Sequence, residues 1–359
     1  MTTILAFIFV LGLLVFVHEL GHFIAAKKSG IRVERFSLGF PPKLIGKKIG
    51  ETEYCIGIVP LGGYVKMVGE NEVEENYIPQ PGDFMAAPLW KRFLVITAGP
   101  FMNFITAILL FFIVYWVTGL PVQKTGSTEI GVVTPGGPAD KAGITVGSQI
   151  TSIEGVEFAD FDDMAAFIKE RPNIELQVQW LDESGQIKSA ALTTMEFGAV
   201  DSAGAEKLEG RIGVGPVFTY TPIGPWQAFK DGISATIFLT RQMFNIIWQL
   251  LTQQISIKAL GGPLMIADQA GKAARQGFAA LLGLAAFLSL NLAILNILPI
   301  PVLDGGHLVF LTIEALKRKP VSIKGRLIAQ QVGMGLLILL MVVVTYNDIV
   351  RLVTGIFDN

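Results

Sequence analysis

Apolar positions in this chain collect into four long runs. They are Ile4 to Ala26, Phe93 to Thr118, Phe278 to Leu298, and Val332 to Tyr346 with its flanks. Each approaches the roughly 20 apolar residues that an α-helix needs to cross a bilayer. No Lys or Arg precedes the first run, and His18, Glu19 and His22 lie near its far end. Those features read as a retained helix, not a cleaved leader. Between the second and third runs the period shortens. Ser148 to Glu154 alternates and Gly155 turns. Asp162 to Lys169 reads as a short helix, and Ile174 to Trp180 pairs with Ile187 to Thr194 about a turn at Asp182 to Gly185. Residues 198–211 are polar and read as a linker. From Pro225 to Gln254 an apolar helical pattern is interrupted by Lys230, Asp231 and Arg241, which predicts an amphipathic helix on the outer membrane surface. Earlier, Tyr54 to Val59 and Tyr64 to Met67 are β-prone and joined by Pro60-Leu61-Gly62-Gly63, which predicts a hairpin.

The expected fold is a polytopic α-helical membrane protein with four transmembrane helices, a membrane-associated β-hairpin and an inserted α+β domain. Its boundaries are a first helix over 1–26, a loop over 27–92 with the hairpin at 54–67, and a second helix over 93–118. The inserted domain covers 125–196, and a linker with the amphipathic helix covers 197–277. A third helix with a broken end covers 278–303, a loop 304–328, and a fourth helix 329–350.

Charge sets the orientation. Lys and Arg accumulate in short cytoplasmic loops. The first connection holds Lys27, Lys28, Arg32, Arg35, Lys43, Lys47, Lys48, Lys66, Lys91 and Arg92. The connection between the third and fourth helices holds Lys317, Arg318, Lys319, Lys324 and Arg326. Both are read as cytoplasmic, so the inserted domain is extracytoplasmic. His18 and His22 then lie near the cytoplasmic end of the first helix, and Asp304 follows the cytoplasmic end of the third. Residues almost 300 positions apart are thereby placed at one membrane depth. Composition agrees: 51% of the 359 residues are hydrophobic and 16% charged, against about 25% charged in soluble domains. The net charge of −2 suggests no nucleic-acid partner. Cys55 is the only cysteine, which excludes an intrachain disulfide and speaks against a cysteine metal site.

His18-Glu19-Leu20-Gly21-His22 reads H-E-x-x-H. On a helix, positions i and i+4 share a face, so both imidazoles reach one ion. Glu19 sits about a quarter turn away and reaches a metal-bound water without filling a coordination site. A catalytic zinc takes a third protein ligand. Asp304 is the best candidate, because Pro299 and Pro301 break the helix just before it, and irregular backbone at membrane depth lines cavities or is buried in protein. Two histidines and a glutamate in an apolar run cost free energy unless they are used. His307 is read as a supporting or structural residue.

These residues and others resemble the site-2 protease family, in the regulator-of-sigma-E protease branch. The resemblance runs through Phe16 to Phe23, Arg32 to Phe40, Pro60 to Met67, Ala98 to Asn103, Gly261-Gly262-Pro263 and Asn296 to His307. It implies zinc held by His18, His22 and Asp304, with Glu19 as base. It further implies Asn296, and the strand before Gly62-Gly63-Tyr64-Val65-Lys66-Met67, as holders of substrate backbone; by strand addition the β-prone run of Tyr64, Val65, Lys66 and Met67 is itself expected to pair with an unwound substrate. Glu129 to Ile144 resembles the start of a bacterial PDZ domain. The branch's namesake carries two tandem PDZ domains, and this chain has room for one.

The function expected is an intramembrane zinc metalloprotease of the bacterial inner membrane. Its substrates would be single-pass membrane proteins, such as anti-sigma factors trimmed by another protease, and remnant signal peptides. An ion transporter also places histidines and carboxylates in membrane helices. Glu19 beside the ligand pair and the external domain speak against it. A non-catalytic PDZ scaffold with structural zinc has no use for the complete H-E-x-x-H and aspartate.

Overall fold

The computed structural model describes residues 1–70, 78–200, 206–255 and 260–353. The chain divides into two units: one joins Met1–Thr118 to Ile223–Val350, and the other is built from Gly119–Pro222.

In the first unit, α1 (Thr2–Lys28), α2 (Leu89–Thr118), α7 (Phe278–Ile297) and α9 (Ile323–Val353) contain the four stretches long and apolar enough to cross a membrane. α1 buries Ala6, Val10, Leu14, His18, Gly21, His22 and Ala25, a stripe at three- and four-residue spacing. Small residues on that stripe let backbones approach, as packing between apolar helices requires where lipid is as apolar as leucine. A Cβ on Gly21 would lie 2.3 Å from the Ala98 carbonyl of α2. The imidazoles therefore sit on the face that α1 turns to its neighbours.

Three parts of this unit differ from the sequence reading. The runs 54–59 and 64–67 do not form a hairpin with each other. β1 (Val33–Ile49) and β2 (Thr52–Met67) each bend, and both runs pair with residues 35–38: Phe36 faces Tyr54 on one side and Val65 on the other. The lateral order is 43–49, 52–57, 33–38, 63–67. Gly39, with φ 92°, and Gly57, whose Cβ would lie 2.2 Å from the Phe40 carbonyl, allow the doubling back. The charges in Arg32 to Phe40 hid the central strand.

Second, α5 (Pro225–Leu251), read as an amphipathic helix on the outer membrane surface, packs along α2, a contact its sequence does not announce. Its buried residues are Ala228, Gly232 and Thr236, and Gly232 packs on Ile108 and Phe112. Leu239, Met243 and Ile247 continue onto Ala107, Leu290 and Ile294. Small residues at four-residue spacing set this packing, and they are weak signals beside the larger apolar side chains. Third, the loop over 304–328 holds a helix, α8 (Asp304–Lys317). A further helix, α6 (Pro263–Gln276), packs Gly271 against Thr3.

The second unit contains β3 (Leu120–Gln123), β4 (Ile130–Val133), α3 (Pro138–Lys141), β5 (Gln149–Ile153), β6 (Val156–Glu157) and α4 (Phe161–Lys169). β7 (Glu175–Leu181), β8 (Ile187–Thr193), β9 (Met195–Val200), β10 (Glu206–Arg211), β11 (Val214–Pro216) and β12 (Phe218–Thr221) follow. The main sheet has the order β6-β5-β7-β8. Ile150, Ile153, Val178 and Trp180 from it pack on Met164 and Ile168 of α4, whose N-terminus is capped by the Asp160 carboxylate accepting from Asp163 N–H at 3.0 Å. The expected α+β body is present and extends beyond 125–196. Residues 206–211 pair with 195–200, β11 pairs with β4, and Ile212 is buried in the core. Ladder hydrogen bonds and one buried isoleucine hold a polar stretch that composition marks as linker. Residues 201–205 of that stretch, and 256–259 of the segment assigned to linker and helix, lie outside the described residues. β3 and β12 pair, Leu120 with Thr221, and bring the two ends of the unit together.

One buried ion pair ties the helices of the first unit. Arg92 of α2 donates to Glu314 of α8 at 2.5 and 3.2 Å, and Arg326 of α9 stands 3.7 Å from the same carboxylate. Removing one partner of a buried pair leaves an uncompensated charge, which costs about 3–5 kcal/mol. Glu314→Ala should destabilise the protein in detergent by about 3 kcal/mol in denaturant unfolding. Combining it with Arg92→Met should recover part of the loss. Additive losses would contradict direct pairing.

Candidate active site

The helical spacing of His18 and His22 puts their rings 4.8 Å apart. Each ring is oriented by its Nδ1. The His22 Nδ1–H donates to the Val95 carbonyl of α2 at 2.8 Å. The His18 Nδ1 faces the Asn103 carboxamide at 3.3 Å. Asn103 is fully buried, its Oδ1 has no partner, and its main-chain carbonyl accepts from Ser289 at 2.8 Å. With the carboxamide turned so that Oδ1 accepts from Nδ1–H, both groups are satisfied. Both histidines then present Nε2, the two Nε2 atoms standing 3.2 Å apart.

Asp304 completes this group from the far end of the chain. Residues 298–303 are irregular, and α8 begins at Asp304 with its positive end behind the carboxylate. The turn is tight. A Cβ on Gly305 would lie 2.1 Å from the Leu298 carbonyl, and one on Gly306 2.3 Å from the Ile300 carbonyl. Asp304 Oδ2 stands 3.2 Å from His18 Nε2 and 3.5 Å from His22 Nε2. That oxygen is buried without a hydrogen-bond partner. Ligands about 2.0–2.1 Å from a tetrahedral zinc ion stand about 3.3–3.4 Å apart, so these donors match a zinc site in kind and in spacing. Among the described residues they form the group able to hold a metal.

A cavity of about 440 Å³ opens at this group, lined by Glu19, Tyr64, Val65 and Asn296 among others. The Glu19 carboxylate stands beside the Val65 N–H. The Asn296 amide lies 3.4 Å from His18 Nε2. His307, one turn beyond Asp304, also lines the cavity. Burial pushes its imidazole below the ordinary value. All the residues singled out from the sequence thus come to one cavity, except Lys66, which is exposed and paired with Glu34 at 2.7 Å.

Two residues at this site were missed as functional candidates. Asn103 enters the sequence pattern only within the run Ala98 to Asn103, although a polar residue in an apolar span is itself a signal. Glu70 also lines the cavity, and burial pushes its carboxyl up to about 7. Nothing in its local sequence marks it.

The geometry makes Gly99 critical, because a Cβ there would lie 2.2 Å from His22 Nε2 and 2.9 Å from His18 Cε1. Gly99→Ala should lower the zinc content of purified protein. Gly12→Ala, with open space around it, should leave zinc unchanged. Asn103→Leu should weaken zinc affinity by about 10–100-fold, the range for lost groups that orient metal-binding histidines. Unchanged affinity in a competition titration would remove Asn103 from that role.

The profile described as Peptidase family M50 matches residues 6–340. A zinc metalloprotease named RasP from Bacillus licheniformis is 32% identical, covering 98% of this chain and 100% of its own. The regulator of sigma-W protease RasP from Bacillus subtilis is 30% identical, covering 98% and 99%. Among solved structures, the PDZ domain of the SdrC-like protein Lmo2051 from Listeria monocytogenes aligns with 27% of this chain and 94% of its own, at 19% identity and a TM-score of 0.21. A family match over almost the whole length, with relatives aligned end to end, means that the chain belongs to peptidase family M50.

Proposed function

We propose that this M50 peptidase is an intramembrane zinc endopeptidase that cuts peptide bonds within the transmembrane segments of single-pass proteins. The observation that carries this reading is the meeting of His18, His22 and Asp304, from two distant apolar segments, in a cavity that also contains Glu19. In this reading the three residues hold zinc. Zinc bound there supplies Lewis-acid activation of a water molecule and of the scissile carbonyl. Glu19 takes the proton from the attacking water and delivers it to the leaving amine. Asn296 and the strand ending at Met67 hold the substrate backbone. A membrane helix shields its peptide groups by bonding them internally, so the substrate must unwind before cleavage. The freed groups then need partners, and an open strand edge supplies them.

The arrangement in the cell follows the charge pattern. The protein is multi-pass. The proposal places it in the bacterial inner membrane, with the catalytic residues towards the cytoplasm and the PDZ-like domain outside. The exposed Ile45, Ile49, Ile56 and Ile58 of the β1–β2 sheet support its contact with lipid. A relative named as a regulator of a sigma factor favours anti-sigma factors as substrates, with remnant signal peptides as a second group. The PDZ-like domain filters substrates by the bulk of their external part.

Purified protein should cleave a single-pass model substrate, and a chelator should stop it. Glu19→Gln should keep zinc and lose cleavage by orders of magnitude, whereas Asp304→Asn should lower zinc occupancy. Cleavage that survives chelation, or normal turnover by Glu19→Gln, would sink the mechanism. Excising the PDZ-like unit between the paired Leu120 and Thr221 should admit substrates with bulky external domains. An unchanged preference would place the filter elsewhere.

A further inference from the structure

The strand over 63–67 is the edge of its sheet on the cavity side. Val68 N–H donates inward to the Arg32 carbonyl at 3.0 Å. Backbone groups alternate along a strand, so those of Val65 and Met67 point outward, away from β1. Among the described residues no strand pairs with this side. An open edge of this kind normally has to be blunted against unwanted pairing.

Two carboxylates stand at the outward donors, Glu19 beside Val65 N–H and Glu70 beside Met67 N–H, and both line the cavity. Gly69, with φ 73°, turns the chain just past the end of the strand, ahead of Glu70. Glu70 lines the same cavity as Glu19 and Asn296. A substrate strand pairing here would bring its carbonyl oxygens to the positions these carboxylates hold.

We propose that Glu70, together with Glu19, keeps the pairing edge closed until an unwound substrate strand displaces both carboxylates. This rests on the strand-pairing reading above. Glu70 takes the place of a substrate carbonyl in the free enzyme, and only a segment that has given up its own helical bonds competes for that place. Pairing at Val65 also frees the Glu19 carboxylate, so substrate alignment and release of the base are a single event. An intact helix, whose carbonyls are already bonded, leaves the edge shut.

The test uses full-length, zinc-free protein in lipid nanodiscs. The probe is a fluorescent transmembrane peptide of roughly 20 residues with a central Asn-Pro break. In anisotropy titrations Glu70→Ala should bind the probe about tenfold more tightly than the parent protein, which corresponds to about 1.4 kcal/mol. Glu70→Gln keeps an acceptor without the charge and should show a smaller gain. In hydrogen exchange without probe, the Met67 amide should exchange faster in Glu70→Ala. In the zinc-loaded enzyme, KM should fall while kcat is kept. A damaged fold would not tighten binding, and if Glu70→Ala does not fold, Glu70→Gln carries the comparison. Unchanged or weaker binding, with Met67 equally protected, would overturn the proposal. A probe N-methylated at alternate amides separates the two readings. If it binds the parent protein as well as the original probe does, strand pairing itself is wrong and Glu70's role falls with it. If it binds more weakly while neither Glu70 variant gains affinity, pairing stands and only Glu70's role is lost.

Discussion

A polar group inside an apolar bundle has to be answered by another group of the bundle, because hydrocarbon offers no partner and each bare donor or acceptor costs several kcal/mol. The site follows from this constraint. The Nδ1 atoms of His18 and His22 are met by the Asn103 carboxamide and the Val95 carbonyl. Their Nε2 atoms converge on Asp304. The partners lie on α2 and at the start of α8, so satisfying the imidazoles also draws α1, α2 and α8 together. The Arg92–Glu314 pair repeats the pattern at the other end of α8. The helix that carries Asp304 is thus held at both ends by charge.

Close approach is the second requirement, and glycine meets it. Gly99 leaves room for both rings, while Gly305 and Gly306 let α8 start against the broken end of α7. A methyl group at any of these positions would meet its neighbour at 2.1–2.3 Å. The donors are therefore set close together by backbone packing, which moves less than long side chains do. The catalytic reading depends on that rigidity. In the proposed reading, the open strand edge beside the donor group is the partner for peptide groups released from a helix.

Much of this was legible in the residues. H-E-x-x-H inside an apolar run, the prolines before Asp304 and the distribution of Lys and Arg all carry physical costs or preferences that few arrangements satisfy. Local period also marked the four apolar helices and the core strands β5, β7 and β8. Other features were hidden for identifiable reasons. The central strand of the β1–β2 sheet carries Glu34 and Arg35 and follows directly on Arg32. Residues 206–211 look like linker because pairing with 195–200, not apolar content, holds them. α5 packs through Ala228, Gly232 and Thr236, whose small size is their signal.

The sequence by itself determined which groups had to be reconciled: two imidazoles and a carboxylate in a span, an aspartate after a helix break, and an inserted α+β domain. Those properties are local, set by side-chain chemistry and hydrophobic period within one segment. Only the tertiary structure decided the partners. Asn103 at His18, Glu70 at the Met67 N–H and Arg92 at Glu314 are meetings of groups that, apart from Glu70 and Met67, lie far apart along the chain. Backbone approach, strand register and the demand to satisfy buried polar groups select them, and all three depend on the three-dimensional path of the chain.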